Sequence, residues 1–172
     1  ISLIAATNPC PCGFLGSQKQ RCHCTQQEIL RYRHKLSGPI LDRLDMQIFV
    51  PEVNLPQLTK QKSCLLEETS AQVRARVIHA RQIQTERWQK LGLTLNAQLS
   101  SAQVRTHIKL DSAAVNLLEQ AAQKWQLSAR GYFKLIKVAQ TIADLETEAT
   151  AGNSILSVKH LAQSIQYRQW QN

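Results

Sequence analysis

With 172 residues, 43% of them apolar, the chain is long enough to bury a core, which argues against wholesale disorder and predicts one or two small domains. No apolar run is long enough to cross a bilayer and no signal peptide is recognised, so we expect a cytoplasmic protein with no membrane partner. The net charge of +9 favours an anionic partner, most commonly nucleic acid. A basic surface that only keeps the protein in solution is the alternative.

The first predicted element is a short strand over residues 1–6, which stops at Asn8 and Pro9. An apolar run of this length, ended by proline, is typical of a buried strand. Ligands bind at the carboxyl ends of strands in open parallel sheets, so the Asn8 side chain is a candidate for site chemistry. An Asn-Pro turn that only caps the strand is the other interpretation.

Four cysteines follow in two Cys-x-Cys hooks that are nine residues apart: Cys10, Cys12, Cys22 and Cys24. Their crowding into 15 positions argues against a disulfide framework, and four thiolates are the ligand set of a tetrahedral structural zinc. Because the usual spacing is Cys-x2-Cys, free thiols and a redox pair stay open as alternatives. The fifth cysteine, Cys64, stands alone and is expected to be a small apolar residue.

A capping-box pattern from Thr25 to Glu28 predicts that a helix begins there, with Ile29 and Tyr32 on its apolar face. Three cations lie elsewhere on this helix: Arg31, Arg33 and Lys35. They are candidates for nucleic-acid contact, and a solvated face is the alternative.

Arg43 is the strongest candidate site residue, because apolar neighbours predict a short helical turn that could hold its guanidinium at a surface. An ion pair with Asp42 or Asp45 is the structural alternative. A second strand is predicted over residues 46–50. It is followed by a linker over residues 51–68, which contains two prolines.

From Ser70 onward the apolar pattern is helical throughout. Gly92 is predicted to end the first of these helices, and later ones are predicted to be capped by Ser100 or Ser101, Asp111, Ser128 and Ser157. Arg130 falls in the first turn of the helix that Ser128 begins. A cation is unfavourable at the positive end of a helix, so we expect a partner to hold it; a surface arginine with no partner is the alternative.

Three strings together resemble AAA+ ATPases of the magnesium-chelatase-related branch, and most closely the ComM/YifB-like competence proteins. They are A-A-T-N-P-C-P-C-G, S-G-P-I-L-D-R-L-D and L-S-A-R-G-Y-F-K-L-I-K-V-A-Q-T-I-A-D-L. The fold that this resemblance implies is mainly α: a remnant of an α/β AAA+ core with two short strands, followed by an all-helical C-terminal lid domain. The core remnant would span residues 1–50, the linker residues 51–68 and the lid residues 69–172.

The resemblance also implies roles for single residues. Asn8 matches sensor 1, which orients the attacking water. Arg43 matches the arginine finger, which reaches into a neighbouring subunit's ATP site, and Arg130 matches sensor 2, which contacts nucleotide phosphates from the lid in its own or a neighbouring subunit. Lys134 and Lys137 keep two charges of the family's lid string and are candidate nucleic-acid contacts.

Phe133 and Gln140 depart from that lid string, which puts a nucleic-acid role at those two positions in question.

For the intact protein the resemblance implies a hexameric ATPase, dependent on ATP and Mg, that moves DNA and drives branch migration during natural transformation. No G-x-x-x-x-G-K-[ST] phosphate-binding loop occurs, so we expect a piece of a longer protein that is inactive alone. One alternative is a magnesium-chelatase-type ATPase subunit. Two others are a zinc-stabilised nucleic-acid-binding module without ATPase activity and an adaptor whose basic face binds an acidic partner.

Overall fold

A computed structural model describes residues 2–35, 38–52, 68–147 and 155–168, with the backbone alone at residues 38 and 39. The fold is mainly helical, as predicted. Its α-helices, in chain order, are α1 (Gln26–His34), α2 (Gly38–Leu41), α3 (Ser70–Trp88), α4 (Ser101–His107), α5 (Ser112–Lys124), α6 (Ala129–Glu146) and α7 (Val158–Gln166). Short 3-10 turns lie at Gln89–Leu91 and Asn96–Gln98. No described helix combines the length and the apolar character that crossing a membrane requires.

Neither strand predicted at residues 1–6 and 46–50 is formed in the described part of the chain. A strand exists only through ladder hydrogen bonds to a neighbour, and neither segment has such a neighbour among these residues. The described residues contain one isolated parallel bridge, between Leu110 and Leu156. In the second segment, the Gln47 amide instead donates to the carbonyl of Tyr167, the residue after α7, at 2.7 Å.

The helix boundaries follow local capping chemistry. Thr25 and Glu28 form the predicted capping box of α1, in which the Thr25 amide donates to Glu28 Oε2 at 2.8 Å. Ser100 caps α4, and Asp111 caps α5 by accepting from the Ala114 amide at 2.6 Å. Helix α3 ends at Trp88, and Gly92 ends the 3-10 turn that follows it. The φ of Gly92 is +68°, a backbone conformation that glycine adopts without strain.

The chain divides into two compact units. Unit 1 comprises residues 1–44 and 50–52, and unit 2 comprises residues 45–49 and 53–172. The predicted linker lies mostly outside the described residues, since residues 53–67 are not among them.

Unit 2 has a hydrophobic core built around α6, which packs against α3, α4 and α7, while α7 also packs against α5. The largest apolar side chains that are fully buried in unit 2 are Ile83, Leu99, Val104, Leu118, Leu135, Leu156 and Leu161. The apolar face of α3 extends beyond this core. Ala80 and Trp88 on this face are buried, whereas Val73 and Val77 are 39% and 40% exposed.

A buried polar network joins α3 and the Asn96 turn to α6. Arg87 Nη2 lies 2.7 Å from Asp144 Oδ1, and Asn96 Nδ2 donates to Asp144 Oδ2 at 2.8 Å. Asn96 Oδ1 accepts from the Trp88 indole at 2.8 Å, and Gln140 Nε2 donates to Asp144 Oδ1 at 3.1 Å. The carboxylate is thus compensated by a cation and two amide donors, which offsets the cost of burying its charge.

Candidate functional site

The two Cys-x-Cys hooks bring four sulfur atoms together in unit 1. The Sγ atoms of Cys10, Cys12 and Cys22 lie 3.4 to 3.7 Å apart, and that of Cys24 lies within 4.8 Å of all three. Tetrahedral zinc with Zn–S bonds of about 2.3 Å separates its sulfurs by about 3.8 Å. The cluster therefore has nearly the dimensions of a tetrathiolate metal site. All four thiols are free, since a disulfide would need about 2.05 Å.

Tight turns shape the loop between the hooks. The Gly13 amide donates to the Cys10 carbonyl at 3.0 Å, and the Ser17 amide donates to the Phe14 carbonyl at 3.0 Å. Gly13 and Gly16 have φ values of +83° and +84°, which side chains rarely allow. The glycines let the backbone fold back so that the first hook faces the second.

Backbone amides point at the sulfurs. Donation from the Phe14 amide, and then from the His23 amide, lowers the pKa of the Cys12 thiol to about 6. At Cys24 the Cys12 amide also donates, but burial and the neighbouring thiols outweigh it and raise the pKa to about 12. Thiolates this close together repel one another, so ionisation of all four is unfavourable unless a cation neutralises them.

A soft divalent cation suits this donor set. Four thiolates in tetrahedral arrangement select zinc or iron, with all coordination positions filled by protein. Such a closed site has no position for substrate, so the metal would have a structural role. The predicted ligands Cys10, Cys12, Cys22 and Cys24 are brought together as one group that could hold a metal ion.

Asn8 lies directly beside this cluster. Its side chain is next to Gly13, because a Cβ built on Gly13 would be 3.8 Å from Asn8 Nδ2. The preceding residue is joined to α1, since Thr7 Oγ1 and the Tyr32 hydroxyl lie 3.1 Å apart. The Asn8 residue is exposed, which leaves its carboxamide accessible to a ligand.

Arg43 is exposed on unit 1, just after α2. Its amide donates to the Ile40 carbonyl at 2.9 Å, and the Leu44 amide donates to the same carbonyl at 3.3 Å. The predicted helical turn is therefore present. Of the two carboxylates considered as partners, that of Asp45 forms an ion pair with Lys134 at 3.1 Å.

Arg130 is exposed in the first turn of α6, in unit 2. The Ser128 hydroxyl caps this helix by accepting from the Gly131 amide at 3.1 Å. In the described part of the chain, no carboxylate lies within ion-pair distance of Arg130. Positive charge thus accumulates at the positive end of a long helix, an arrangement suited to phosphate.

Sequence reasoning missed a second guanidinium at this helix end. A Cβ on Gly131 would lie 2.7 Å from Arg168 Nη1, so the buried Gly131 leaves room for the Arg168 side chain. A glycine inside an otherwise regular helix is the signal that could have indicated a close approach. The partner could not be read from the sequence, because Arg168 lies at the other end of the unit's chain.

The candidate nucleic-acid residues fall into two groups. Arg31, Arg33 and Lys35 are exposed on and after α1. Lys134 is engaged with Asp45, and Lys137 Nζ donates to the Ala97 carbonyl at 3.1 Å. Burial lowers the pKa of Lys137.

The two residues that depart from the family's lid string are both buried in unit 2. Phe133 is buried in the core of unit 2 beneath the Arg105 guanidinium, which lies 5.0 Å from its ring centre, and Gln140 belongs to the Asp144 network.

Comparison with known proteins matches both parts of the chain. The family described as magnesium chelatase, subunit ChlI C-terminal, matches residues 67–168, and that described as magnesium chelatase, subunit ChlI, matches residues 1–58.

Three curated relatives cover nearly the whole chain. It is 41% identical to the competence protein ComM of Haemophilus influenzae and 37% identical to the uncharacterized protein YifB of Escherichia coli, over 96% of the chain in both cases. It is 33% identical, over 97% of its length, to an uncharacterized protein of Mycobacterium tuberculosis. The chain spans 30% or 31% of the length of these relatives.

The match to the subunit ChlI C-terminal family alone covers more than half of the chain. The match to the subunit ChlI family covers the segment that contains Asn8 and Arg43. The chain therefore belongs to the magnesium chelatase subunit ChlI family of AAA+ proteins and resembles its members named ComM and YifB.

Proposed function

We propose that this chain is the C-terminal part of an ATP-dependent AAA+ motor that acts on DNA as a hexameric ring. Arg43 would complete the nucleotide site of the neighbouring subunit. The observation that carries this proposal is the exposed Arg43, held on a hydrogen-bonded turn, in a string that resembles the family's arginine-finger motif.

The chemistry explains why arginine is needed there. In phosphoryl transfer, negative charge spreads over the γ-phosphate oxygens, and a planar guanidinium can bind two of them at once. A head-to-tail ring places the same surface of each subunit against the next subunit's site. One arginine per chain thus makes hydrolysis depend on the neighbour.

Asn8 and Arg130 would act on the same nucleotide chemistry. The exposed carboxamide of Asn8 can orient an attacking water, and Arg130 at the start of α6 can bind phosphate from the lid. ATP and Mg would be held mostly by residues outside this chain, which has no phosphate-binding loop of the Walker A kind. By itself the chain is expected not to hydrolyse ATP.

DNA as the partner is supported by the net charge of +9 and by the name of the ComM relative, a competence protein. Arg31, Arg33 and Lys35 are the first candidates for phosphate contact, because they are exposed. Lys134 and Lys137 would have to leave their present partners to bind DNA.

Zinc is the metal that we propose for the four cysteines. The sulfur separations fit its bond lengths, and zinc in a closed thiolate site needs no redox partner. Iron in the same donor set is the competing possibility, which metal analysis of the purified chain distinguishes.

A subunit-mixing experiment tests the trans role of Arg43. In the intact protein, Arg43→Ala and Asn8→Ala should each reduce ATP hydrolysis, by on the order of 10³ for the arginine. Mixed rings should recover activity, because about one interface in four then pairs an intact Asn8 with an intact Arg43 from the neighbour. Arg81→Ala, at an exposed position on α3, is the matched control and should behave as wild type.

The outcomes separate the possibilities. No recovery in mixed rings would place both residues on one subunit's nucleotide and reject the trans arrangement. Full activity of Arg43→Ala would reject the finger altogether. ATP hydrolysis that depends on Arg43 but does not respond to DNA would favour the chelatase-type subunit that the family descriptions name.

A further inference from the structure

Unit 1 lacks the apolar core that a folded segment of its size needs. Among its described residues only Cys10 and Ile29 are buried, at 0% and 7% exposure. Five of its large apolar side chains are exposed instead: Leu3, Ile4, Leu30, Ile40 and Val50. Domains of fewer than about 50 residues are usually stabilised by disulfides or a metal when burial is this small.

The two hooks are joined to each other through sulfur. Cys22 Sγ lies 3.7 Å from Cys10 Sγ and 3.5 Å from Cys12 Sγ. The hydrogen bonds inside the loop between them are local, such as those from the Lys19 and Gln20 amides to Ser17 Oγ at 3.2 Å. A cation that fixes the sulfurs would therefore fix the hooks.

The cluster is flanked along the chain by the Asn8 segment and by α1. Upstream, Asn8 lies against Gly13, whose amide closes the turn of the first hook. Downstream, Cys24 directly precedes Thr25, the N-cap of α1. The contact between Thr7 and Tyr32 then joins the Asn8 segment to α1. Asn8 is thus positioned from both sides by elements that the hooks hold.

We propose that the four-cysteine metal centre is the core of unit 1 and that its ligation positions Asn8 against α1. Binding of the ion folds residues 7–35, and removal of the ion releases Asn8 and α1 while unit 2 keeps its own core. This inference takes the identity of the metal and the role of Asn8 from the proposed function. It does not depend on DNA as the partner or on the role of Arg43.

Hydrogen exchange on the 172-residue chain tests it directly. The chain is prepared with Zn²⁺ and, under reducing conditions, after removal of metal by a chelator. We expect one zinc per chain, and at least about tenfold faster exchange over residues 7–35 after stripping, because coupled binding energy is folding energy. Exchange in α5 and α6 should be the same in both samples.

Two variants separate ligation from other effects. Cys22→Ser removes one ligand, and we expect it to bind zinc weakly and to exchange like the stripped chain. Cys64→Ser is the matched control, since Cys64 belongs to neither Cys-x-Cys hook in the sequence, and it should keep one zinc. With Co²⁺ in place of zinc, the visible spectrum should be that of a tetrahedral tetrathiolate.

Each of the other results would reject a specific part of the proposal. One zinc per chain with equal protection in loaded and stripped samples would reject the inference and leave the zinc site standing. Iron in place of zinc would reject the proposed metal only. Protection of residues 7–35 with no metal bound, or with the cysteines in disulfides, would reject both the inference and the zinc site.

Discussion

Asp144 is the one carboxylate that is fully buried in the described part of the chain, and its environment explains why it can be there. Arg87 supplies the opposite charge, while Asn96 and Gln140 donate hydrogen bonds to its oxygens. Such a group holds α3, the Asn96 turn and α6 in one arrangement, because each element loses a partner if another moves.

Replacing Asp144 with alanine should destabilise the helical unit by about 3 to 5 kcal/mol, since it removes the carboxylate that pairs with the largely buried Arg87 guanidinium. Urea denaturation followed by circular dichroism measures this change. Glu119→Ala, at an exposed position on α5, is the control and should change stability by less than about 0.5 kcal/mol. A loss below about 1 kcal/mol for Asp144→Ala would contradict the network's structural role.

The sequence places Asp144 on α6 but does not reveal its partners. Arg87 and Asn96 lie 57 and 48 positions away along the chain, and local patterns contain no information about which distant polar groups meet. The four cysteines are a contrasting case. Their grouping could be predicted because all four lie in one short segment and share one ligand chemistry.

Glu146 offers a test of surface electrostatics at the end of α6. A hydrogen bond from Lys159 at 2.8 Å, with smaller effects of Lys159 and His160 charge, lowers the pKa of Glu146 from its ordinary value of 4.5. A carboxylate whose pKa is lowered by folding stabilises the fold at pH values above its ordinary pKa. This contribution is lost as the pH falls through the folded-state pKa. The contribution is small, since the group is partly exposed and screened by solvent.

We expect Lys159→Ala to raise the pKa of Glu146 back toward 4.5. Carboxyl chemical shifts followed through an acid titration report this directly. Lys90→Ala, an exposed lysine in another element, is the comparison and should leave the titration unchanged. An identical titration in Lys159→Ala would show that the pair does not persist in solution.

At the scale of elements, helices were predictable and strands were not. The starts of α1, α4, α5 and α6 follow from capping residues that act within three positions, so the necessary information is local. The apolar run at residues 46–50 looks like a strand, but ladder partners decide whether it becomes one. Here that segment donates to the Tyr167 carbonyl instead.

The α1 helix leads to a prediction about DNA. If Arg31, Arg33 and Lys35 each contact one phosphate, replacing any of them with alanine in the intact protein should weaken DNA binding uniformly across sequences. The slope of log K against log salt should fall by about 1 for each contact removed. Arg81→Ala is the matched control, and an unchanged slope in all three variants would assign DNA binding to other surfaces.

At the scale of the molecule, two units with different cores are expected to respond separately to damage. Leu118 has no exposed surface and lies in the apolar core of unit 2, whereas the described residues of unit 1 bury only Cys10 and Ile29. The Leu118→Ala cavity should therefore cost unit 2 about 2 to 5 kcal/mol. It should leave exchange in α1 unchanged, because no part of the lost packing lies there.

Hydrogen exchange resolved by segment measures both units in one sample. In Leu118→Ala we expect faster exchange across α5 and α6 and no change over residues 7–35, the reverse of the pattern expected on removing the metal. Val115→Ala truncates a side chain that is 36% exposed on the same helix and serves as the control, with little effect on either unit. Loss of protection over residues 7–35 in Leu118→Ala would mean that the helical core also supports unit 1. Asn8 would then depend on two cores rather than on the cysteine cluster alone.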